Sequence, residues 1–248
     1  MKILSIVLFS VASSTTLGIL AGLLVRSLAH KFNDIILGFA AGVMLAAASV
    51  GLLSSAFTSN SIHLAIIGTI VGAFLISLLD RFVPHLHKLA GIDSETHKNN
   101  KSIAKYLLFV AALALHKIPE GLAVGVSFGT NNPQDVFTVA SAISIQNIPE
   151  AFVVVSPLFA IGITAKRIIA ISFAIALVSI LSVLTGYALV QVFVSALPFL
   201  LASAGGAMLY VISDEMIPET HSHGFEKQAT FSLIFGFILV LAVQHLFG

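Results

Sequence analysis

Two short polar motifs lie inside long apolar stretches and carry residue types that bind cations. The run His-Lys-Ile-Pro-Glu-Gly at 116–121 lies within the apolar segment 107–129, and Gln-Asn-Ile-Pro-Glu-Ala at 146–151 lies within 137–162. Ile-Pro-Glu thus recurs at an offset of thirty residues, each time after two polar residues. Ionisable side chains inside a hydrophobic span are costly and usually line a path for an ion or a substrate. The two motifs therefore mark the candidate functional site.

The spacing within each motif places two ligand side chains on one helix face. His116 and Glu120 are four residues apart, as are Gln146 and Glu150, and helical side chains at that spacing share a face. One imidazole, two carboxylates and an amide oxygen form a shell of nitrogen and oxygen ligands. Such a shell suits zinc, cadmium, ferrous iron or manganese, whereas copper(I) prefers sulfur. The pattern predicts a divalent-metal site made of these four residues.

Lys117 and Asn147 occupy matching positions in the two motifs. An ammonium group at membrane depth should pair with a carboxylate, most simply Glu120 three residues further on. We expect Lys117 to take the place of a second cation and to leave room for a single metal. Pro119 and Pro149 each remove a backbone hydrogen bond, and two such positions predict kinked or interrupted helices around the ion.

The elements that must position these motifs are membrane helices. The chain is 58% hydrophobic and 9% charged, with a mean hydropathy of +1.05, which is not a soluble composition. A bilayer core is spanned by roughly 20 apolar residues. We therefore predict an all-α integral membrane protein, a single domain over 1–248 with a polar loop at about 83–103. Its eight predicted spans are 3–28, 34–57, 62–82, 104–129, 135–163, 167–192, 197–218 and 229–247.

Small residues at four-residue spacing predict where helices approach closely. Gly38 and Gly42 lie in the second span, and Gly121, Gly125 and Gly129 lie in the fourth. Such residues let helix backbones come together in lipid, where burial of apolar area drives no association.

The basic residues predict the orientation. Ten of the twelve Lys and Arg residues fall in the loops after spans one, three, five and seven. Basic loops remain on the cytoplasmic side. We therefore expect both termini to be extracytoplasmic. Because the sequence has no long extension of the eukaryotic kind, we expect the membrane to be the inner (plasma) membrane of a prokaryotic cell.

Further candidate ligands lie near the cytoplasmic end of span seven. Carboxylates at a helix C-terminus oppose the macrodipole, so their presence there suggests either an exit relay for the metal or a solvated helix end. The loop histidines His85, His87 and His97 are weaker metal-binding candidates. The relay residues would be Asp214, Glu215, Glu219, His221 and His223.

These motifs together resemble the ZIP (Zrt-/Irt-like) family of metal transporters. The runs at 39–47 and 213–221 add to the resemblance of the two central motifs. The resemblance implies a 3+2+3 arrangement of eight helices that moves divalent metal into the cytoplasm. It also implies that His116, Glu120, Gln146 and Glu150 are the transport ligands.

The resemblance also bears on how many metals the site holds. Members with two adjacent metals usually have asparagine at the position of Lys117, an acidic residue at that of Asn147, and a carboxylate from helix six. Span six of this chain, 167–192, has no acidic residue, in agreement with a single metal.

Two other functions were weighed. A proton- or sodium-coupled carrier of another solute could use Glu120 and Glu150 as proton sites, but it gives His116 and Gln146 no role. An intramembrane metalloenzyme would need an open coordination position and a general base, and no His-Glu-x-x-His motif is present. We therefore predict a transporter rather than an enzyme, with zinc as the foremost substrate. We expect no cofactor and no nucleic-acid partner, and the sequence leaves open whether the chain forms a homodimer.

Overall fold

The computed structural model describes residues 2–25, 28–59, 61–81, 101–160 and 162–247, with backbone only over 101–113. This part of the chain is helical and contains no strand. Eight long helices account for most of it. They are α1 (Lys2–Val25), α2 (His30–Phe57), α3 (Ile62–Asp80), α4 (Lys101–Ser127), α5 (Pro133–Ala160), α6 (Ala165–Val192), α7 (Val194–Thr220) and α8 (Glu226–Phe247).

Seven of the eight helices are long and apolar enough to cross a membrane. The eighth, α4, has 27 residues and is about 40 Å long at 1.5 Å per residue, so its length also suffices. The predicted all-α membrane architecture is confirmed.

The helix ends differ by a few residues from the predicted spans. The second helix begins at His30 rather than at 34, which places Asp34 inside the helix instead of at its start. The fourth begins at Lys101 and so includes the last residues of the predicted 83–103 loop. The loop histidines at 85, 87 and 97 lie outside the described residues.

Helices that approach closely do so at glycines, as the small-residue spacing predicted. A Cβ atom added at Gly125 in α4 would collide with the backbone of α6 at Val183 and Tyr187. A Cβ atom at Gly42 in α2 would collide with the backbone of α8 at Leu233. These two contacts hold α4 against α6 and α2 against α8.

The helices form two packed groups. In the first, α1 packs on α5 and α6, and α6 packs on α4. In the second, α2 packs on α8, and α3 packs on α7. The α2–α5 contact joins the groups, so the polar motifs on α4 and α5 lie in the interior of the bundle.

The irregular helical segments lie in α2 and α7, and not at the two prolines of the polar motifs. Helices α4 and α5 continue through Pro119 and Pro149 without interruption, so the prediction of helices broken at these points is wrong. Instead, α2 widens into a π-helix over Ala47–Leu53, and α7 does so over Ile212–Met216. Neighbouring helices compensate for a backbone bond lost at proline, which allows α4 and α5 to continue.

Candidate metal centre

Lys117 connects the two polar motifs. Its ammonium nitrogen Nζ donates to Oε2 of Glu120 at 2.7 Å, to Oε2 of Glu150 at 2.6 Å and to Oδ1 of Asn147 at 2.9 Å. An ammonium group has three donors, and each of them has a partner here. The expected pairing of Lys117 with Glu120 is confirmed, and the same group also holds α4 to α5 through Glu150.

The cluster is buried. Lys117 and Glu120 are 2% exposed and Glu150 is 8% exposed. Unpaired charges at such depth are strongly destabilising, and the two carboxylates would repel each other without a cation between them. Lys117 provides that cation.

Helix α1 orients the amide of Asn147. The Nδ2 group of Asn147 donates to Oγ of Ser14 at 3.4 Å, while Ser14 Oγ donates to the carbonyl of Val11 at 2.9 Å. Ser14 therefore accepts from Nδ2, and this directs Oδ1 of Asn147 toward the ammonium of Lys117. The sequence analysis missed Ser14, although the polar run at 13–16 inside an apolar helix was a signal for it.

His116 contacts a third helix. Its Nε2 lies 2.8 Å from Oε2 of Glu215, and both side chains are about one-tenth exposed. Glu215 lies in the π-helical part of α7, five residues before this helix ends at Thr220. The sequence analysis grouped Glu215 with residues near the end of span seven, and the structure brings it against the first polar motif.

Gln146 is the remaining member of the predicted ligand set. It is fully buried, and neither its amide oxygen nor its amide nitrogen has a hydrogen-bond partner. A buried amide without partners costs roughly 1–3 kcal/mol. Gln146 is thus a polar group placed beside the charged cluster that a ligand would satisfy.

The four predicted ligands do not converge on one point in this conformation. Within the described ranges, no group of three or more His, Cys, Asp or Glu side chains is arranged to hold a metal. Lys117 binds the two glutamates, and Glu215 binds His116. Each glutamate nevertheless keeps its second oxygen, Oε1, outside the bonds to Lys117, because a carboxylate has two acceptor oxygens.

The other predicted relay residues do not share one site. Asp214 is exposed and accepts from the hydroxyl of Tyr210 at 3.3 Å. His221 bonds through Nδ1 to the carbonyl of Ile217 at 2.8 Å and through Nε2 to Thr230 at 3.0 Å. Glu219, which is half-buried, lies in the last turn of α7.

His223 lies against α2. Its Nδ1 is 3.0 Å from Oδ1 of Asp34, which is fully buried. Asp34 was not among the residues predicted for the site.

A bundle of long apolar helices around buried ionisable side chains defines a multi-pass helical membrane protein. The comparisons identify which family of such proteins this is. Residues 83–244 match the family described as ZIP Zinc transporter, and the chain belongs to this family. Proteins of the family are named as zinc transporters rather than as enzymes.

Bacterial relatives extend the similarity over most of the chain. It is 34% identical to Zinc transporter ZIPB of Bordetella bronchiseptica, covering 95% of this chain and 78% of the relative. Zinc transporter GufA of Myxococcus xanthus is 39% identical over 73% of this chain and 70% of its own length. Zinc transporter ZupT of Chlorobaculum parvum is 31% identical over 94% of this chain and 92% of its own length.

Proposed function

We propose that this protein transports a divalent metal ion, with zinc as its main substrate, through a site between α4 and α5. The observation that carries the proposal is the buried cluster in which Lys117 binds one oxygen of Glu120 and one of Glu150. Lys117 takes up only part of the acceptor capacity of the two carboxylates. Relatives named as zinc transporters support zinc as the ion.

The proposed metal shell consists of His116, Glu120, Gln146 and Glu150. The Oε1 atoms of both glutamates lie outside the bonds to Lys117, and the amide oxygen of Gln146 has no hydrogen-bond partner. His116 must leave Glu215 before its Nε2 can join them. A nitrogen–oxygen shell suits zinc, and it also accepts cadmium, ferrous iron and manganese.

We propose that a single metal binds, because Lys117 occupies the position of a second cation. The ammonium group already neutralises part of the charge of the two carboxylates, so a second divalent ion beside it would be repelled. Asn147 adds only an amide to this position, and α6 has no acidic residue that could contribute another ligand.

The proposed direction, into the cytoplasm, is the one that the resemblance to ZIP transporters implies, and the charge of the loops predicts how the path is oriented. Because basic loops remain on the cytoplasmic side, both termini are extracytoplasmic and the α7–α8 turn faces the cytoplasm of a cell bounded by its inner membrane. Metal leaving His116 would meet Glu215 first. The side chains beyond it on the cytoplasmic path are Asp214, Glu219, His221 and His223.

The residues named for this path all belong to one chain. A homodimer, which the sequence left open, would place two independent paths side by side.

The proposal is tested by radiometal uptake into proteoliposomes that contain the purified protein. Zinc is compared with cadmium, manganese and ferrous iron, and Glu120→Ala and Glu150→Ala are compared with Glu226→Ala. Glu226 is exposed at the start of α8 and serves as the matched control. We expect both buried-site variants to lose more than nine-tenths of zinc uptake, because each removes a charged ligand, and the control to keep it.

Two results would contradict the proposal. One is a wild-type protein that moves none of the four metals. The other is full uptake by folded Glu120→Ala and Glu150→Ala proteins, which would favour a coupled carrier of another solute.

A further inference from the structure

Two histidines and a buried carboxylate lie together where the α7–α8 turn meets the start of α2. Asp34 is 0% exposed, and its Oδ1 accepts a hydrogen bond from Nδ1 of His223 at 3.0 Å. The ring of His223 stacks on that of His30, with centroids 4.6 Å apart and planes at 22°. Two imidazoles and a buried carboxylate are thus brought together from two distant parts of the chain.

The second oxygen of Asp34 has no explanation within the fold. Oδ2 is buried and lacks a hydrogen-bond partner, and a buried carboxylate oxygen without a partner is costly. Asp34 does not cap α2, since the helix begins four residues earlier and its N-cap position makes no side-chain hydrogen bond. Within the described residues, His223 is the only side chain that forms an ion pair with Asp34.

The Asp34–His223 pair has the form of a carboxylate that orients a metal-binding histidine. A histidine that binds a metal through one ring nitrogen usually donates the other N–H to a carboxylate, which fixes the tautomer and makes the binding nitrogen more basic. Here Nδ1 of His223 makes that bond. Its Nε2 lies 3.4 Å from the hydroxyl oxygen of Ser222, a long contact that a metal at Nε2 would replace. The side chain of His223 is 27% exposed, so a metal can reach it.

His30 supplies a second nitrogen. It is the first residue of α2 and is exposed, so its ring can rotate at little cost. Two nitrogens bound to one tetrahedral zinc are roughly 3.3 Å apart. Because a metal lies in the plane of each imidazole that it binds, the ring of His30 must turn out of the 4.6 Å stack to bring one of its nitrogens to this separation.

We infer that His223 and His30 bind a divalent metal ion at this end of the bundle and that Asp34 is the positioning residue for His223. Water completes the coordination, so the site holds metal less tightly than an all-protein shell. The inference rests on the proposed function in two respects: that the ion is zinc, and that the site serves release of zinc to the cytoplasm. There the site receives zinc that has passed Glu215 and gives it up to the cytoplasm.

The test is equilibrium zinc binding by the full-length protein in detergent micelles. The wild-type protein is compared with three variants, His223→Ala, His30→Ala and Asp34→Asn. His245→Ala is the matched control. His245 is exposed in the last turn of α8, far from the turn that holds His223. We expect the two histidine variants to lose one zinc equivalent. Asp34→Asn should keep that equivalent but bind it about 10–100-fold more weakly, as is typical when a carboxylate that orients a histidine ligand is lost.

The alternative is that the cluster only fastens the turn to α2. In that case His223→Ala lowers the melting temperature while zinc stoichiometry and affinity stay at the wild-type values, and this result would overturn the inference. Loss of the equivalent in His245→Ala would overturn it as well. His30→Ala keeps the test decisive if Asp34→Asn fails to fold, because His30 is exposed.

The same measurement on Glu120→Ala/Glu150→Ala separates this inference from the proposed function. If the central site does not bind zinc, these substitutions leave stoichiometry unchanged, yet His223→Ala still removes one equivalent. If the central site binds zinc and the turn does not, Glu120→Ala/Glu150→Ala lowers the zinc stoichiometry and His223→Ala leaves it unchanged.

Discussion

At the scale of residues, the site is controlled by one lysine that satisfies two carboxylates at once. The bonds from Lys117 to Glu120 and Glu150 are 2.7 and 2.6 Å long, and all three groups are buried. A tethered ammonium is a permanent cation that cannot be transported. It reduces the repulsion between the two glutamates in this conformation.

Lys117→Asn tests whether the lysine replaces a second metal. Removing the ammonium leaves two carboxylates without their cation, so we expect the central site to bind one additional zinc ion or to change its preference among zinc, cadmium and manganese. Equilibrium binding and uptake competition measure these effects. Lys227→Asn, at an exposed position in α8, is the control. Unchanged stoichiometry and unchanged selectivity in Lys117→Asn would count against the single-metal proposal.

Ser14 acts on the same cluster through Asn147. In Ser14→Ala the Nδ2 group of Asn147 loses its acceptor, so the amide is no longer fixed with Oδ1 toward Lys117. The loss of one such bond is worth about 1 kcal/mol, and we expect a roughly fivefold fall in the initial rate of zinc uptake. Ser13→Ala is the control, because Ser13 bonds only to the carbonyl of Ser10 within its own helix. Equal rates for the two variants would exclude this role for Ser14.

At the scale of elements, glycines set how closely the helices of the site approach each other. Gly125 lies one turn beyond the first polar motif, and its nearest neighbours in α6 are backbone atoms. Backbone cannot move aside without displacing a whole helix. The position of α4, and with it that of His116 and Lys117, therefore depends on residue 125 having no side chain.

Gly125→Ala should lower the stability of the folded protein by about 1–3 kcal/mol, the usual cost of overpacking. Gly51→Ala is the matched control. A Cβ atom there would meet only a methyl group of Val139, at 2.9 Å, and a side chain can rotate away. Thermal melting followed by size-exclusion chromatography compares the two variants. A Gly125→Ala protein as stable as Gly51→Ala would show that α4 and α6 can separate freely.

At the scale of the whole molecule, the asymmetry of basic residues predicts which ends of the helices face the cytoplasm. The chain contains no cysteine, so single cysteines report topology without interference. We expect Thr58→Cys, between α2 and α3, to react with a membrane-impermeant thiol reagent added outside intact cells. Lys227→Cys, at the start of α8, should react only after the cells are opened. The reverse pattern would place the termini in the cytoplasm and invert the proposed direction of transport.

The sequence by itself determined the helices and one pair within the buried cluster. Hydrophobic length alone predicts spans of bilayer thickness, and helical periodicity places residues three or four apart on one face, so the Lys117–Glu120 pair was predicted correctly. Helix ends were predicted less well, as at His30, because polar residues at membrane ends fit both a loop and a first helical turn.

Only the tertiary structure decided which helix faces meet. It joined Lys117 to Glu150, Ser14 to Asn147, His116 to Glu215, and Asp34 to His223. Each of these pairs links different helices or a helix and a distant turn. Local periodicity gives the face on which a side chain lies but not the neighbour of that face. The neighbour is set by close packing at glycines and by the π-helical turns, both of which depend on the whole bundle.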